Sequence, residues 1–492
     1  MNGLRFILLS LILFGFVFWI SPFNVIPELL RYHYSKNYIY KNVESHGSFK
    51  TYLIDNNREK IKFTPYAFQD YPRALSTFDS LKNHFSSVQV REDDKWEFKK
   101  KSFDIDRHIK NSLCSWNNSP YDKKISFKNF LEFVLPYRAG DEALVEYRDS
   151  LNILFARFKY KVQDDSENLD NLVDSINSQL ATLVDYDIRS LATMNVPDPL
   201  ETLEIGKGSC KSLTQLATLS LRTLGIATTI DECPFWAHRA SGHQWNVYLS
   251  NDQQWIPFNG SERNPDCFDP FNDSIKAPKI FRHTYSFQDN FSPTNTNKEN
   301  IPPYFRMKNR IDVTSSYVST SNISLYIKDK PDDTEHVYLS VFNNQDWKII
   351  SWSKLDGNQA HFDNMGNNNI IYLPVFYING RKKPAGKPFL VDGDKITTFE
   401  LKENKFIDTD ISTVNYYYDH QWNTSCAVSG ATYRLNYWDD EWLVSQEINA
   451  DINGHLKFKN VPEDGLYFIS SGELNNRQQR LFSLKDGAQS WY

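Results

Sequence analysis

From Ser126 onward the apolar positions recur with a helical period. Phe127, Phe130, Leu131, Val134 and Leu135 follow Ser126, a good N-cap, and Pro136 ends the run. A second helix is expected over Glu142–Tyr160, with Tyr147, Leu151, Leu154, Phe155 and Phe158 on one face. A third fits Glu167–Leu183, where Leu169, Leu172, Val173, Ile176, Leu180 and Leu183 keep the i, i+3, i+4, i+7 spacing behind Ser166. A fourth begins at Cys210, carries Leu213, Leu216, Ala217, Leu219 and Leu224, and stops at Gly225. The period then changes to two: Ile226–Ile230, His243–Leu249 and Gln254–Phe258 read as strands. Residues 30–120 show no clean period beyond a short helix over Asp104–Leu113.

Residues 289–312 are rich in Ser, Pro, Thr and Asn and include Pro302-Pro303, the composition of a linker or of a long surface crossing. Beyond them the strand period dominates, in Val337–Phe342, Trp347–Trp352, Ile370–Ile378, Ala431–Trp438, His455–Val461 and Leu466–Ser470. Turn pairs such as Asn379-Gly380, Asp392-Gly393 and Asn453-Gly454 separate these segments. They predict one or two β-sandwich modules. No repeat of fixed period is present.

At the N-terminus, Arg5 precedes an apolar run, Phe6 to Ile20, broken only by Ser10 and Gly15. This is the layout of a secretory signal, but Ser21-Pro22-Phe23-Asn24 offers no small-residue cleavage motif. Read through to Ile26, the segment would be about 31 Å long as a helix, enough to cross a bilayer. Signal peptide and uncleaved membrane anchor both place the rest of the chain outside the cytoplasm. Charge changes the picture little: 55 Lys+Arg against 61 Asp+Glu in 492 residues argues against a nucleic-acid partner. Five cysteines without a C-x-x-C pair exclude a disulfide-dense scaffold and a zinc ribbon.

Chemistry concentrates around Cys210. It follows Gly206-Lys207-Gly208-Ser209 and opens a helix, whose N-terminus favours a thiolate. Gly206 and Gly208 allow a tight turn and close approach of a substrate to the backbone. His243, in Gly242-His243-Gln244-Trp245-Asn246, stands at the start of a strand and can take and return a proton. Asn259 ends the next strand, Trp255-Ile256-Pro257-Phe258, where its side chain could orient the imidazole. It is equally a turn residue before Gly260. Cys on a helix tip with His and Asn on adjacent strands is a papain-type constellation.

These motifs resemble the transglutaminase-like superfamily, in which a Cys–His–Asp triad performs acyl transfer. More narrowly the chain looks like exported transglutaminase-domain proteins of Bacteroidetes. The resemblance extends to Leu135-Pro136-Tyr137-Arg138, Asp141-Glu142, Ile230-Asp231, Trp236 and Arg239, and more loosely to Val337-Tyr338-Leu339, Tyr372-Leu373-Pro374-Val375 and Trp491-Tyr492. It implies an α+β fold: a papain/transglutaminase-like core, its Cys-bearing helix packed on an antiparallel sheet, followed by β-sandwich modules. Asn259 stands where the family usually has Asp; Glu262, Asp266 and Asp269 follow closely and could substitute. The expected organisation is a signal or anchor at 1–26, a mixed region at 27–125, the core at 126–288, the linker at 289–312, and β modules at 313–405 and 406–492.

Trp236 and Trp245 are candidate walls of an acyl pocket, with core packing as the alternative. Arg138 and Arg239 are candidates for a substrate carboxylate, with structural ion pairing as the alternative. Gly208 is a candidate for backbone contact with substrate. Cys233 and Cys267 flank the motif region and could pair in an oxidising compartment. No cofactor or metal is expected, because His238 and His243 lack a third ligand at metal spacing. Two functions follow. One is an exported thiol enzyme hydrolysing peptide or cell-envelope amide bonds; the other is a non-catalytic envelope scaffold or glycan- or protein-binding protein on the same fold.

Overall fold

The computed structural model describes residues 28–43, 46–54, 60–62, 80–81, 86–93, 103–119, 125–163, 168–187, 196–261, 275–294, 296–332, 334–416, 422–474 and 479–492. The backbone divides into two interleaved units. The first comprises Met1–Asp231, Gln244–Phe268 and Arg282–Phe287; the second comprises Glu232–His243, Asp269–Phe281 and Gln288–Tyr492.

The first unit carries eight helices among the described residues: α1 (Glu28–Asn42), α2 (Ile105–Asn117), α3 (Phe127–Phe133), α4 (Arg148–Leu154), α5 (Ala156–Gln163), α6 (Leu169–Ala181), α7 (Pro199–Ile205) and α8 (Cys210–Thr223). Their ends follow side-chain chemistry. Asp104 caps α2 by accepting from the Arg107 amide at 3.0 Å, and Ser126 caps α3 through Asn129. Asn168, rather than Ser166, caps α6 through Asp170. The expected helix over 142–160 is instead two short ones, α4 and α5, separated at Phe155. Glu142 is not helical because its carboxylate accepts the amides of Ala139 and Gly140, at 2.7 and 2.8 Å. α7 was not anticipated, although Asp198, Pro199 and Glu201 spell out a capping box with Pro at the first helical position.

α8 is buried almost all round. Leu213, Leu216, Ala217 and Leu219 are fully enclosed, and so are the polar Ser212, Thr214, Gln215, Thr218, Ser220 and Thr223. The hydroxyls of Ser220 and Thr223 return to the carbonyls of Leu216 and Leu219 one turn back. The Arg222 guanidinium donates to the carbonyls of Phe133, Thr228 and Arg138. Gly225 stops the helix with φ +84°, and a Cβ there would lie 2.8 Å from the Ser115 carbonyl.

Strands β1 (Gly47–Ile54), β2 (Lys60–Lys62) and β3 (Ser86–Asp93) form a sheet in the order β2-β1-β3. β4 (Asp185–Tyr186) pairs in parallel with β5 (Lys207–Gly208), immediately before α8. β6 (Thr228–Cys233), β7 (His243–Leu249), β8 (Trp255–Phe258) and β9 (Phe281–His283) lie in the order β9-β6-β7-β8. β7 and β8 are antiparallel, with Asn246 opposite Phe258 and Leu249 opposite Trp255. Asp231 of β6 is fully buried and receives two bonds at 2.8 Å from Arg282 of β9. A fork of this kind satisfies both carboxylate oxygens away from water.

The second unit is built of strands. β10 (Arg310–Asp312) and β11 (Thr320–Tyr326) precede β12 (His336–Asn343), β13 (Asp346–Lys354), β14 (Gln359–Gly366), β15 (Ile370–Ile378), β16 (Arg381–Pro384), β17 (Phe389–Asp392) and β18 (Lys395–Thr398). The main sheet here runs β13-β12-β15-β17-β18, with β16 also on β15, and β11 pairs with β14. β19 (Lys402–Asp410), β20 (Thr413–Tyr416), β21 (Trp422–Ser425), β22 (Thr432–Asp439), β23 (Glu441–Asn449), β24 (Lys457–Glu463), β25 (Leu466–Ser470), β26 (Leu481–Lys485) and β27 (Ala488–Trp491) follow. They form the sheet β23-β22-β25-β26-β27 with the pairs β19-β24 and β20-β21. Tight hairpins at Asn344-Gln345, Asn379-Gly380 and Asp486-Gly487 have both central residues at positive φ, which matches the strand twist.

Each β module has its own core, one around Val337, Leu339, Phe362 and Tyr372, the other around Tyr433, Leu435, Phe458 and Phe482. A third cluster joins them, setting Phe342 and Trp347 against Trp438, Trp442 and Phe468. Residues 289–312 carry two 3-10 turns, Lys298–Asn300 and Pro303–Arg306, and strand β10. Phe291 and Phe305 are buried in that third cluster. The Pro, Asn and Thr content of this stretch masked the aromatic residues that order it. Among the described residues no helix is long and apolar enough to cross a membrane; Phe6–Ile26 lies outside them.

Candidate active site

Cys210 is the first residue of α8. Ser209, buried and in the extended conformation of an N-cap, accepts from the Ser212 amide at 3.4 Å. The two preceding glycines have separate causes. Gly206 closes α7 at φ +69°, a left-handed cap. A Cβ on Gly208 would lie 2.9 Å from the Ser212 Cβ, so the glycine lets β5 pass close beneath the first turn of α8. The amide of Asp187 donates to the Gly208 carbonyl at 2.7 Å and ties this turn to the segment after β4.

A second loop holds the same turn from the side. Lys211, next to Cys210, pairs with Asp141 at 2.5 Å, and Gln215 donates to the other Asp141 oxygen at 3.3 Å. Burial works against the Asp141 carboxylate, but the charge and hydrogen bond of Lys211 outweigh it and hold the group below its ordinary range. The neighbouring Glu142 behaves oppositely. Burial raises it, and Arg138 together with the Ala139 amide offsets only part of that rise. Gly140 leaves no room for a side chain, since a Cβ would lie 2.4 Å from the Gln215 Nε2. Arg138 is buried, and its carbonyl accepts from Arg222.

β7 is laid on α8 by Asn246. This fully buried side chain donates to the Thr214 carbonyl and the Thr218 hydroxyl, both at 2.8 Å. His243 is the first residue of β7 and the last of the segment Glu232–His243 that groups with the second unit. Asn259 follows β8 directly. Its carbonyl accepts from Asn177 of α6 at 3.0 Å, and Asn177 also receives the Ser261 amide at 2.6 Å. A Cβ on Gly260 would lie 2.4 Å from Asn246 Oδ1 and 2.6 Å from Ala217 Cβ, so the chain leaves β8 pressed against α8.

Trp245, in the first unit, is 0% exposed, and Trp236, in the second, is 1% exposed. Both indoles are core side chains. The loop carrying Trp236 and Arg239 is gathered by Asn343 of β12, whose Nδ2 lies 2.8–2.9 Å from the carbonyls of Trp236, Arg239 and Ser241. The Arg239 guanidinium lies 5.6 Å from the Trp236 ring centre. Gly242 packs against the Pro234 carbonyl, which a Cβ would approach to 2.3 Å. His238 is buried in the same loop and accepts the Lys276 amide at 3.1 Å; burial, then Arg480, Arg239 and Lys276, hold it well below the usual histidine range.

Cys233 is a free, fully buried thiol, pushed up by burial, and its Sγ lies 3.5 Å from the Phe235 carbonyl. Cys267, Glu262, Asp266 and Asp269 lie outside the described residues. Among the described residues no three His, Cys, Asp or Glu side chains gather as a metal site requires. Sequence reasoning missed the holding residues Asn177, Lys211 and Asn246. Only Lys211 and Asn246 had a signal, Lys211 by following Cys210 directly and Asn246 by closing the His243 motif.

Residues 156–260 match the model of the transglutaminase-like superfamily. Among curated proteins none matches the chain. Of solved structures, a proposed cysteine protease from Cytophaga hutchinsonii is similar at 21% identity over 24% of this chain and 39% of its own, with a TM-score of 0.18. The matched part is thus about two fifths of that protein's length. Red sea bream transglutaminase is similar at 8% identity over 92% of this chain and 78% of its own, with a TM-score of 0.22. The matched segment runs from the start of α5 to the residue after Asn259, and residues 156–260 of this α+β chain are a transglutaminase-like domain.

Proposed function

We propose that the chain is an exported thiol acyl-transfer enzyme that hydrolyses peptide or cell-envelope amide bonds. Cys210 is the nucleophile. Its thiolate adds to the amide carbonyl carbon; the His243 imidazolium gives its proton to the leaving amine as the C–N bond breaks and a thioester forms. His243 then takes a proton from water, which attacks the thioester and releases a carboxylic acid, restoring the Cys210 thiolate and the His243 imidazolium. Asn259 orients the imidazole through its side-chain carbonyl. Gly208, Trp236, Arg239 and Trp245 are assigned to the substrate side. Hydrolysis is favoured over cross-linking because water is always available, whereas cross-linking needs a dedicated amine site. The apolar run Phe6–Ile20 behind Arg5 supports export.

The observation that carries this reading is Cys210 at the first position of a capped helix, inside the segment that matches the superfamily. Alkylation of Cys210 should stay fast below the ordinary thiol pKa of about 8.5, and His243→Ala should shift that profile upward without unfolding the chain. Asn259→Ala should have a smaller effect. A small membrane-impermeant maleimide should label Cys210 on intact cells. A free-thiol profile that ignores His243→Ala would select the second reading, a non-catalytic envelope scaffold, which Asn259 in place of an acid favours.

A further inference from the structure

A pocket of about 370 Å³ opens within the second unit. It lies between the segments flanking β17–β18 on one side and the β22–β23 and β24–β25 turns on the other. Phe399 and Leu466, 8% and 1% exposed, close its base and leave little apolar surface open. One wall is the half-buried indole of Trp438. That ring is held edge-on by Trp347 and Trp442, with centroids 5.4 and 5.1 Å away, so the surface it offers is rigid. Carboxylates stand at the mouth. Glu400 pairs with Lys387 at 3.3 Å, while Asp439 and Asp440 are exposed and make no ion pair among the described residues. No residue of this pocket belongs to the acyl-transfer site.

The exposed lining of the pocket is mainly polar, which suits a ligand rich in hydroxyls. A pyranose ring fits this particular set. Its C–H face is apolar and suits the indole surface of Trp438. Its hydroxyls both donate and accept, and so can use the carboxylates and the Lys387 ammonium together. A basic peptide side chain would use the carboxylates and leave the Lys387 ammonium unused. An acidic sugar would meet three carboxylates against one ammonium. We propose that the pocket at Trp438, Phe399, Asp439 and Asp440 binds a neutral pyranose unit of a glycan.

The test is calorimetric titration of the full chain carrying Cys210→Ala, which removes turnover and leaves this pocket intact. The probes are cellohexaose, maltohexaose and the N-acetylglucosamine hexamer, with hexagalacturonate and decalysine for comparison. At least one neutral hexamer should bind, and hexagalacturonate should not. Trp438→Ala should weaken binding about tenfold, corresponding to the loss of one stacked ring. Trp438 belongs to the unit's core, so a second variant is needed. Asp439→Asn with Asp440→Asn should weaken binding several-fold at unchanged melting temperature. Failure of all three neutral hexamers to bind, binding unchanged in both variants, or binding of decalysine in their place would overturn the proposal.

Discussion

Asp141 shows how much one residue beside the candidate nucleophile depends on its partners. Its carboxylate is 16% exposed and holds both Lys211 and Gln215 on the first turns of α8. Its proton affinity is lowered in the folded chain, so the unfolded chain binds the proton more readily. The stabilisation is therefore fully present above about pH 4 and is lost as pH falls through the lower, folded value. Asp141→Asn should cost about 2 kcal/mol near neutral pH, the scale of a charge-assisted hydrogen bond. The deficit should shrink at about pH 3. Urea unfolding of both proteins at the two pH values measures it, and a deficit independent of pH would show that Lys211 is not the partner that matters.

At the scale of elements, the contact between α8 and β7 rests on Asn246 and on the empty space at Gly260. Asn246→Ala would leave the Thr214 carbonyl without this donor in a fully buried place and should cost about 1–3 kcal/mol. Hydrogen exchange across 244–258 should speed up, because the strand loses its tie to the helix. Gly260→Ala should destabilise by a similar amount, since its Cβ would meet Asn246 and Ala217. Gly472→Ala, where a Cβ meets nothing within 4 Å, is the matched control and should be close to neutral. Equal melting temperatures for the two glycine variants would show that the close packing under β8 is not needed.

At the scale of the whole molecule, the two β modules share a core although they arise from separate stretches of chain. Trp347 is 4% exposed and packs against Trp438, Trp442 and Phe342. Trp347→Ala should cost about 3–5 kcal/mol, as truncations of large core aromatics do. Because the cluster belongs to both modules, residues 313–405 and 406–492 should melt in one calorimetric transition, and the variant should lower that transition as a unit. Two resolved transitions, with only one moved by the substitution, would mean that the modules fold independently.

What was legible in the sequence lies where local chemistry decides. Ser126 as a cap, a short helix near Asp104, Gly225 as a stop, the strand period of β7 and β8, and Cys210 at a helix start all follow from side chains and backbone a few residues apart. The capping box at Asp198 was equally local and was overlooked. The rest depends on partners distant in the chain. Glu142 leaves the helix expected of it because Ala139 and Gly140 present amides to its carboxylate inside a buried turn. The polar residues of α8 look solvent-facing in the pattern but are enclosed, because distant carbonyls satisfy Arg222 and its own turns satisfy the hydroxyls. Phe291 and Phe305 turn a linker-like composition into ordered structure because they pack with Phe281 and Tyr304 inside a larger buried cluster. Periodicity and caps record what a residue does to its own segment; what buries that segment is decided by surfaces brought together only by the folded chain.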